Sequence, residues 1–341
     1  MPRHLRHLVL IVLVLALGAG AAHATTHDFY KGKVIRIVVG FAAGGGFDTY
    51  ARLIGRHLGR HIPGNPTIIV ENMPGAGSLI AANHAYKVAK PDGLTMVHFI
   101  GGILMLQVFG KPGVEFDARK FEYVGVPVRD NPACVFTRAS GITSMEKWLA
   151  AKTPVKIGAV APGSTTDDVP KVLGAALGLP IQVVSGYKGT APIRLAAESG
   201  EVAGGCWGWE SIRATWRKGL DTGDVVVVVQ TQPQPAPDIP IVPLAMSFAK
   251  TDEARQLIKI GIQDAGAITR PFAVSPGTPK DRVQLLRKAF LDTLKDPEFL
   301  QEAQKAKVEV DPMTGEELER TVHGLFKLDP AFLAKLKEVL K

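Results

Sequence analysis

Gly44, Gly45 and Gly46 stand between the apolar run "KVIRIVVGF" and the helically spaced stretch "FDTYARLIGRHLGRHI". Three bare residues between a strand end and a helix start let a backbone approach a ligand closely. The helix N-terminus behind them offers unpaired N–H groups and a partial positive charge, and such a place suits an oxyanion. Residues Ala42, Ala43, Gly44, Gly45, Gly46, Phe47 and Asp48 therefore form the first candidate ligand loop, with Asp48 as helix cap or loop brace. A second loop, "APGSTTDDV", also joins a strand to a helix. Its Gly163, Ser164, Thr165 and Thr166 supply N–H groups and hydroxyls, and Asp167 or Asp168 begins the helix; an ordinary Ser/Thr/Asp cap would look the same. In "SGYKGTAP", Tyr187 could cover a ligand, Lys188 could add charge, and Gly189 and Thr190 lead into a helix; a surface turn is the plainer reading. Trp207, in "GCWGWES", is either a wall of the same cleft or a core tryptophan.

What is missing narrows the chemistry. Gly44 and Gly46 are followed by Thr49 where a dinucleotide fingerprint needs its third glycine, and no Gly-Lys-Ser/Thr closes a phosphate loop. Neither a G-x-S-x-G elbow nor an H-E-x-x-H pair occurs. His57 and His61 share i, i+4 spacing, but they lie on an arginine-rich helix and read as solvated. The two cysteines lack C-x-x-C spacing. No catalytic residue, metal or cofactor is expected.

The elements that place these loops repeat. "TIIVENM" and "LTMVHFI" are strands separated by the helix "GSLIAANHAYKVA". With the opening strand and helix they give a β-α-β-α-β order, which implies parallel strands with helices on both faces. The pattern restarts with "VKIGAV", "DDVPKVLGAALG", "IQVVSGY", "APIRLAAESG", "VAGGCWG" and "VVVVVQ". Unbroken apolar runs suit strands covered on both faces. The class is α/β, with two similar units. "TQPQPAPDIPIVP" is proline-rich loop, and the tail from Arg270 returns to the first unit. The expected division is 25–127 plus 269–341 for lobe 1 and 128–268 for lobe 2. Two crossings, near Pro127 and Ile268, would make a hinge, with the ligand cleft between mainly parallel sheets.

Composition agrees with a globular protein: 341 residues, 46% hydrophobic and 21% charged. Residues 1–24 have a basic start, an apolar run and an Ala22-His23-Ala24 end, the order of a signal peptide cleaved after Ala24. The mature chain is expected to be soluble and exported. Formal charge is +8, scattered without a long basic run, which points away from nucleic acid and mildly favours anionic ligands. Cys134 and Cys206 are too few for a disulfide scaffold. An oxidising compartment would permit one bridge between them, if the side chains meet.

Five stretches resemble one family: "IRIVVGFAAGGGFDTYARL", "VENMPGAGSLIAANHAYKVAKPDGLTM", "GYKGTAPIRLAAESGEV", "PDIPIVP" and "SPGTPKDRVQLLRKAFLDTLKDPEF". The chain is similar to the Bug-type extracytoplasmic solute receptors of tripartite tricarboxylate transporters over essentially all of its mature length. The block V-E-N-x-P-G-A-G followed by P-D-G is the most specific part. The resemblance implies a two-lobed periplasmic binding protein of type II-like fold, working as a monomer with membrane transporter subunits. It also implies a small organic carboxylate as ligand, held by Ala42 to Asp48 from one lobe and by Gly163 to Thr166 and Tyr187 to Thr190 from the other. A sensing receptor of the same fold, with a membrane signalling partner, is the second reading; a secreted enzyme acting on an anion is a remote third. Three positions depart from the family pattern: Ala43 replaces proline, Phe47 replaces serine or threonine, and Asp168 stands where a histidine commonly opens the helix. The stretch 249–269 is also longer than usual. Phe47 and Asp168 imply a ligand less polar than citrate.

Overall fold

The first strand shows why the chain folds as it does. In β1 (Val34–Val39), every residue but Val34 and Arg36 is buried, because the strand is covered on both faces. A computed structural model describes residues 29–341; the expected leader and its cleavage point after Ala24 lie outside the described residues. β1 leads through the Gly44–Gly46 loop into helix Gly46–Leu58, whose Tyr50, Leu53, Ile54 and Leu58 are buried. β2 (Thr67–Asn72), helix Leu79–Lys87, β3 (Thr95–His98) and β4 (Glu122–Val126) follow. The chain then builds a second sheet from β5 (Pro132–Thr137), β6 (Val155–Gly158), β7 (Ile181–Val184), β8 (Gly204–Gly208) and β9 (Val225–Gln230). It returns to the first sheet as β10 (Phe272–Val274) and β11 (Met313–Thr314).

The strand order is β11-β4-β10-β3-β1-β2 in one sheet and β7-β6-β8-β5-β9 in the other. β2-β1-β3 and β7-β6-β8 are parallel, as helical crossovers require. Both sheets are nevertheless mixed. β10 runs antiparallel to β3 and β4, and β5 antiparallel to β8 and β9. These two strands begin where the chain passes from one sheet to the other, so no βαβ crossover sets their direction.

The chain crosses between the sheets in two places, after Val126 and before Phe272. The stretch before the second crossing carries helix Asp252–Ile258 and a π-helical turn, Lys259–Asp264. The C-terminal tail does not stay wholly with the first sheet. Leu336 and Leu340, at the end of helix Pro330–Val339, pack with Val172, Leu173 and Ile258 in the core of the second. The helical pattern of the tail shows an apolar face but not which lobe covers it. His57 and His61 also differ from expectation. Helix Pro297–Lys305 packs on their face, burying His57, whose Nε2 lies 2.7 Å from Glu302 Oε2; His61 Nε2 lies 2.8 Å from Asp296 Oδ2.

Cys134 and Cys206 face each other in the β5–β8 register and are joined by a disulfide. The bridge closes a sequence separation of 72 residues at the centre of the second sheet. Replacing both cysteines by alanine should lower unfolding free energy by about 2–4 kcal/mol, through a less constrained unfolded chain. Urea denaturation measures it, and an unchanged midpoint would mean that the bridge adds nothing.

Candidate functional site

The two strand-to-helix loops are held in the same way. Gly44 has φ +80° and Gly163 φ +84°, a left-handed region where side chains are strained. Gly44 N donates to Asp48 Oδ2 at 2.9 Å, and Gly163 N to Asp168 Oδ1 at 3.0 Å. In each lobe, an aspartate in the first turn of the helix braces the glycine loop in front of it. Their surroundings differ. Burial would raise the Asp48 carboxyl, but hydrogen bonds from Arg52, Gly44 and Asn72 outweigh it and hold the group below its ordinary value. Burial pushes Asp168 up to about 7; the Gly163 N–H opposes the shift and Asp167 adds to it.

The first loop lies against the second lobe. Ala42 N donates to Lys188 O at 2.8 Å. A Cβ on Gly45 would stand 2.8 Å from Thr190 Oγ1, and one on Gly46 would stand 2.1 Å from Ser211 Oγ. The glycines therefore allow one lobe to approach the other. The Gly44 amide is spent on Asp48 and does not face a ligand.

A cavity of about 30 Å³ lies between the lobes. Of the residues expected there, Gly45, Gly46 and Phe47 line it from one side, and Ser164, Thr165, Thr166, Thr190 and Trp207 from the other. The remaining expected residues do not line it. Ala42, Gly44, Asp48 and Gly189 act in the loops behind the wall. Ala43 stands beside them in the first loop. Gly163 and Asp168 line a neighbouring void of about the same volume. Tyr187 donates its hydroxyl to Glu201 Oε1 at 2.6 Å, and the exposed Lys188 contributes its main-chain oxygen.

Phe41, Ile100, Val160, Asp130, Gly208, Ser211 and Arg270 complete the wall and were not expected from the sequence. Arg270 is 2% exposed. Its Nε donates to Asp130 Oδ1 at 3.0 Å and its Nη2 to Glu210 Oε1 at 2.8 Å. The guanidinium lies over the rings of Phe47 and Tyr50, 4.7 and 5.0 Å from their centroids. Burial works against its charge, but Asp130 and Glu210 outweigh burial and raise its pKa. Burial, then repulsion from Asp130, pushes the Glu210 carboxyl well above its ordinary range. Behind Phe47, the buried His98 stacks on Phe272, and burial pulls its pKa down to about 3, so this imidazole is neutral. Arg270 Nη1, Ser211 Oγ and Trp207 Nε1 are buried without a hydrogen-bond partner among the described residues.

The sequence held one signal for Arg270. It is a lone charge in "AGAITRPFAV", at the second crossing, while Asp130 stands at the first. Motif reading of strand-to-helix loops passes over such positions. Among the described residues, one cluster has the spacing of metal ligands: His57, Asp296 and Glu298. The Arg60 guanidinium already contacts all three.

Residues 53–329 match the model of a family described as tripartite tricarboxylate transporter family receptor. A UPF0065 protein of Bordetella bronchiseptica is 30% identical over 162 residues, covering 47% of this chain and 47% of that protein. The chain thus spans about half the length of the curated relatives it matches. Among solved structures, the periplasmic binding protein BugD superposes with a TM-score of 0.75 at 22% identity, over 91% of this chain and 98% of that one. An R. palustris protein solved with adipate gives a TM-score of 0.71 at 20% identity, over 90% and 97% of the two chains. At these identities the likeness shows the fold.

Asp168 sets a pH dependence. Its folded pKa, about 7, lies above its unfolded value of 3.8. Its stabilising contribution is full below 3.8 and is lost as pH rises through about 7. Asp168→Asn keeps the acceptor for Gly163 N–H and removes the titration. The melting temperature of the variant should therefore fall less than the parent's between pH 5 and pH 8. Parallel curves from calorimetry would contradict this.

Proposed function

The chain belongs to the tripartite tricarboxylate transporter receptor family, and on that premise we propose that it is an exported, periplasmic receptor. It captures a small organic carboxylate between its lobes and hands it to the membrane subunits of a tripartite transporter. It makes and breaks no bond. The observation that carries this reading is the position of the cavity. It lies between the lobes, with walls from both, and among the described residues Arg270 is the one lysine or arginine lining it. A carboxylate held there, away from water, meets a guanidinium in a medium where charge contacts strengthen. A ligand that contacts both walls favours the closed arrangement by its differential affinity for it. The neighbour solved with adipate has the same fold and supports the ligand class.

Protein unfolded and refolded to strip solute, then screened against carboxylates by thermal shift, tests the reading. A true ligand at a hundred times its dissociation constant should add about 2.7 kcal/mol of stability, and solution scattering should show a smaller radius of gyration. A screen in which no carboxylate gives either effect would refute it.

Closure itself is tested at Gly46. A methyl there would stand 2.6 Å from Ser211 Cβ, across the lobe boundary. Gly46→Ala should keep the parent circular dichroism, weaken binding of the best screen hit about a hundredfold, and fail to compact when that hit is added. A variant that binds and compacts like the parent would show that the lobes need not meet there.

A further inference from the structure

Three donors in one wall give the ligand a more definite chemistry, on the premise that the carboxylate-receptor reading holds. We propose that Arg270, Ser211 and Trp207 bind the ligand directly, and that the ligand is a monocarboxylate: a single carboxylate on an uncharged, largely apolar body. Arg270, Ser211 and Trp207 are 2%, 1% and 3% exposed. Two edges of the Arg270 guanidinium are used on Asp130 and Glu210, which leaves Nη1 over. Ser211 Oγ and Trp207 Nε1 are also unpartnered, and all three residues line the cavity between the lobes. Ser211 Oγ and Arg270 Nη1 both lie against Gly46, 2.1 and 3.2 Å from where its Cβ would be. A buried donor left unpaired is destabilising, so three around one cavity call for a common acceptor. A carboxylate offers about four lone-pair sites and can accept from all three.

The rest of the wall limits the charge the ligand can carry. Phe41, Phe47, Ile100 and Val160 are apolar. Ser164 and Thr166 turn their hydroxyls inward: Ser164 Oγ donates to Ala161 O at 2.6 Å, and Thr166 Oγ1 accepts from Val160 N at 3.0 Å. Asp130 is itself in the wall, and among the described residues no lysine or histidine joins Arg270 there. A second carboxylate would be buried against rings or beside Asp130 with no cation to meet it. Asp130 and Glu210 are positioning residues: they fix the guanidinium so that Nη1 is the edge left for the ligand.

The test is calorimetric titration of the refolded, solute-free protein with benzoate, butyrate, adipate, citrate and benzamide. Benzoate or butyrate should bind at least tenfold more tightly than adipate or citrate. Benzamide, with the shape of benzoate but no charge, should give no measurable heat. Ser211→Ala and Trp207→Phe each remove one donor without stranding a buried charge, and each should weaken monocarboxylate binding about tenfold. Arg270→Gln should weaken it a hundredfold or more, with circular dichroism checking its fold. Tightest binding by adipate or citrate would overturn the monocarboxylate inference and leave the receptor reading standing. Monocarboxylates that bind Ser211→Ala and Trp207→Phe as well as the parent would overturn the three-donor anchor. Binding by none of the four acids would overturn both this inference and the reading beneath it.

Discussion

A guanidinium buried between two sheets needs counter-charge, and much of this site follows from how Arg270 obtains it. Removing a cation from water is costly unless carboxylates meet it at close range. Asp130 comes from the first crossing between the sheets, Glu210 from the helix after β8, and Arg270 from the second crossing. The cluster therefore ties together the strands on which a hinge would turn. Asp130 N also donates to Gly266 O at 3.0 Å, a second link between the same two segments. Burial and the nearby Asp130 both push the Glu210 carboxyl upward, so two carboxylates crowd one guanidinium. Phe47 and Tyr50 cover the guanidinium from the first lobe. The departure at Phe47 thus has a structural reason, since serine or threonine could not provide a ring over that charge.

Around this centre the two lobes repeat one local arrangement. A left-handed glycine ends a strand segment, and an aspartate in the following helix accepts its N–H. The loop is rigid because its amide is already paired, and the bare backbone lets the lobes approach. Rigidity and approach are different uses of glycine: Gly44 and Gly163 serve the first through their dihedrals, Gly45 and Gly46 the second through the missing Cβ.

The two α/β units and the three strand-to-helix loops could be read from the sequence because they depend on neighbours within a few residues. Apolar runs, helical spacing and strand-to-helix glycines are local. The Arg270 cluster was not legible for the opposite reason. Its members are 60 to 140 positions apart, and nothing near Asp130 or Glu210 marks them as partners of an arginine. The same limit applies to His57, whose helix face gains its cover from residues near 300. It also applies to the last helix, whose packing on the second lobe depends on a distant apolar surface. The disulfide stood between these cases. Strand assignments for both cysteines were local, and the register that brings them opposite one another was not.

Trp207 is stacked on Trp216 with ring centroids 5.8 Å apart and planes within 8° of parallel. One indole faces the cavity, and the other borders an outer groove with its Nε1 donating to Glu198. Two chromophores this close and this nearly parallel couple their electronic transitions, so their near-ultraviolet dichroism belongs to the pair. Any change at the cavity wall that tilts Trp207 alters that coupling. A ligand that tilted Trp207 would therefore register in the protein's own dichroism, without a label.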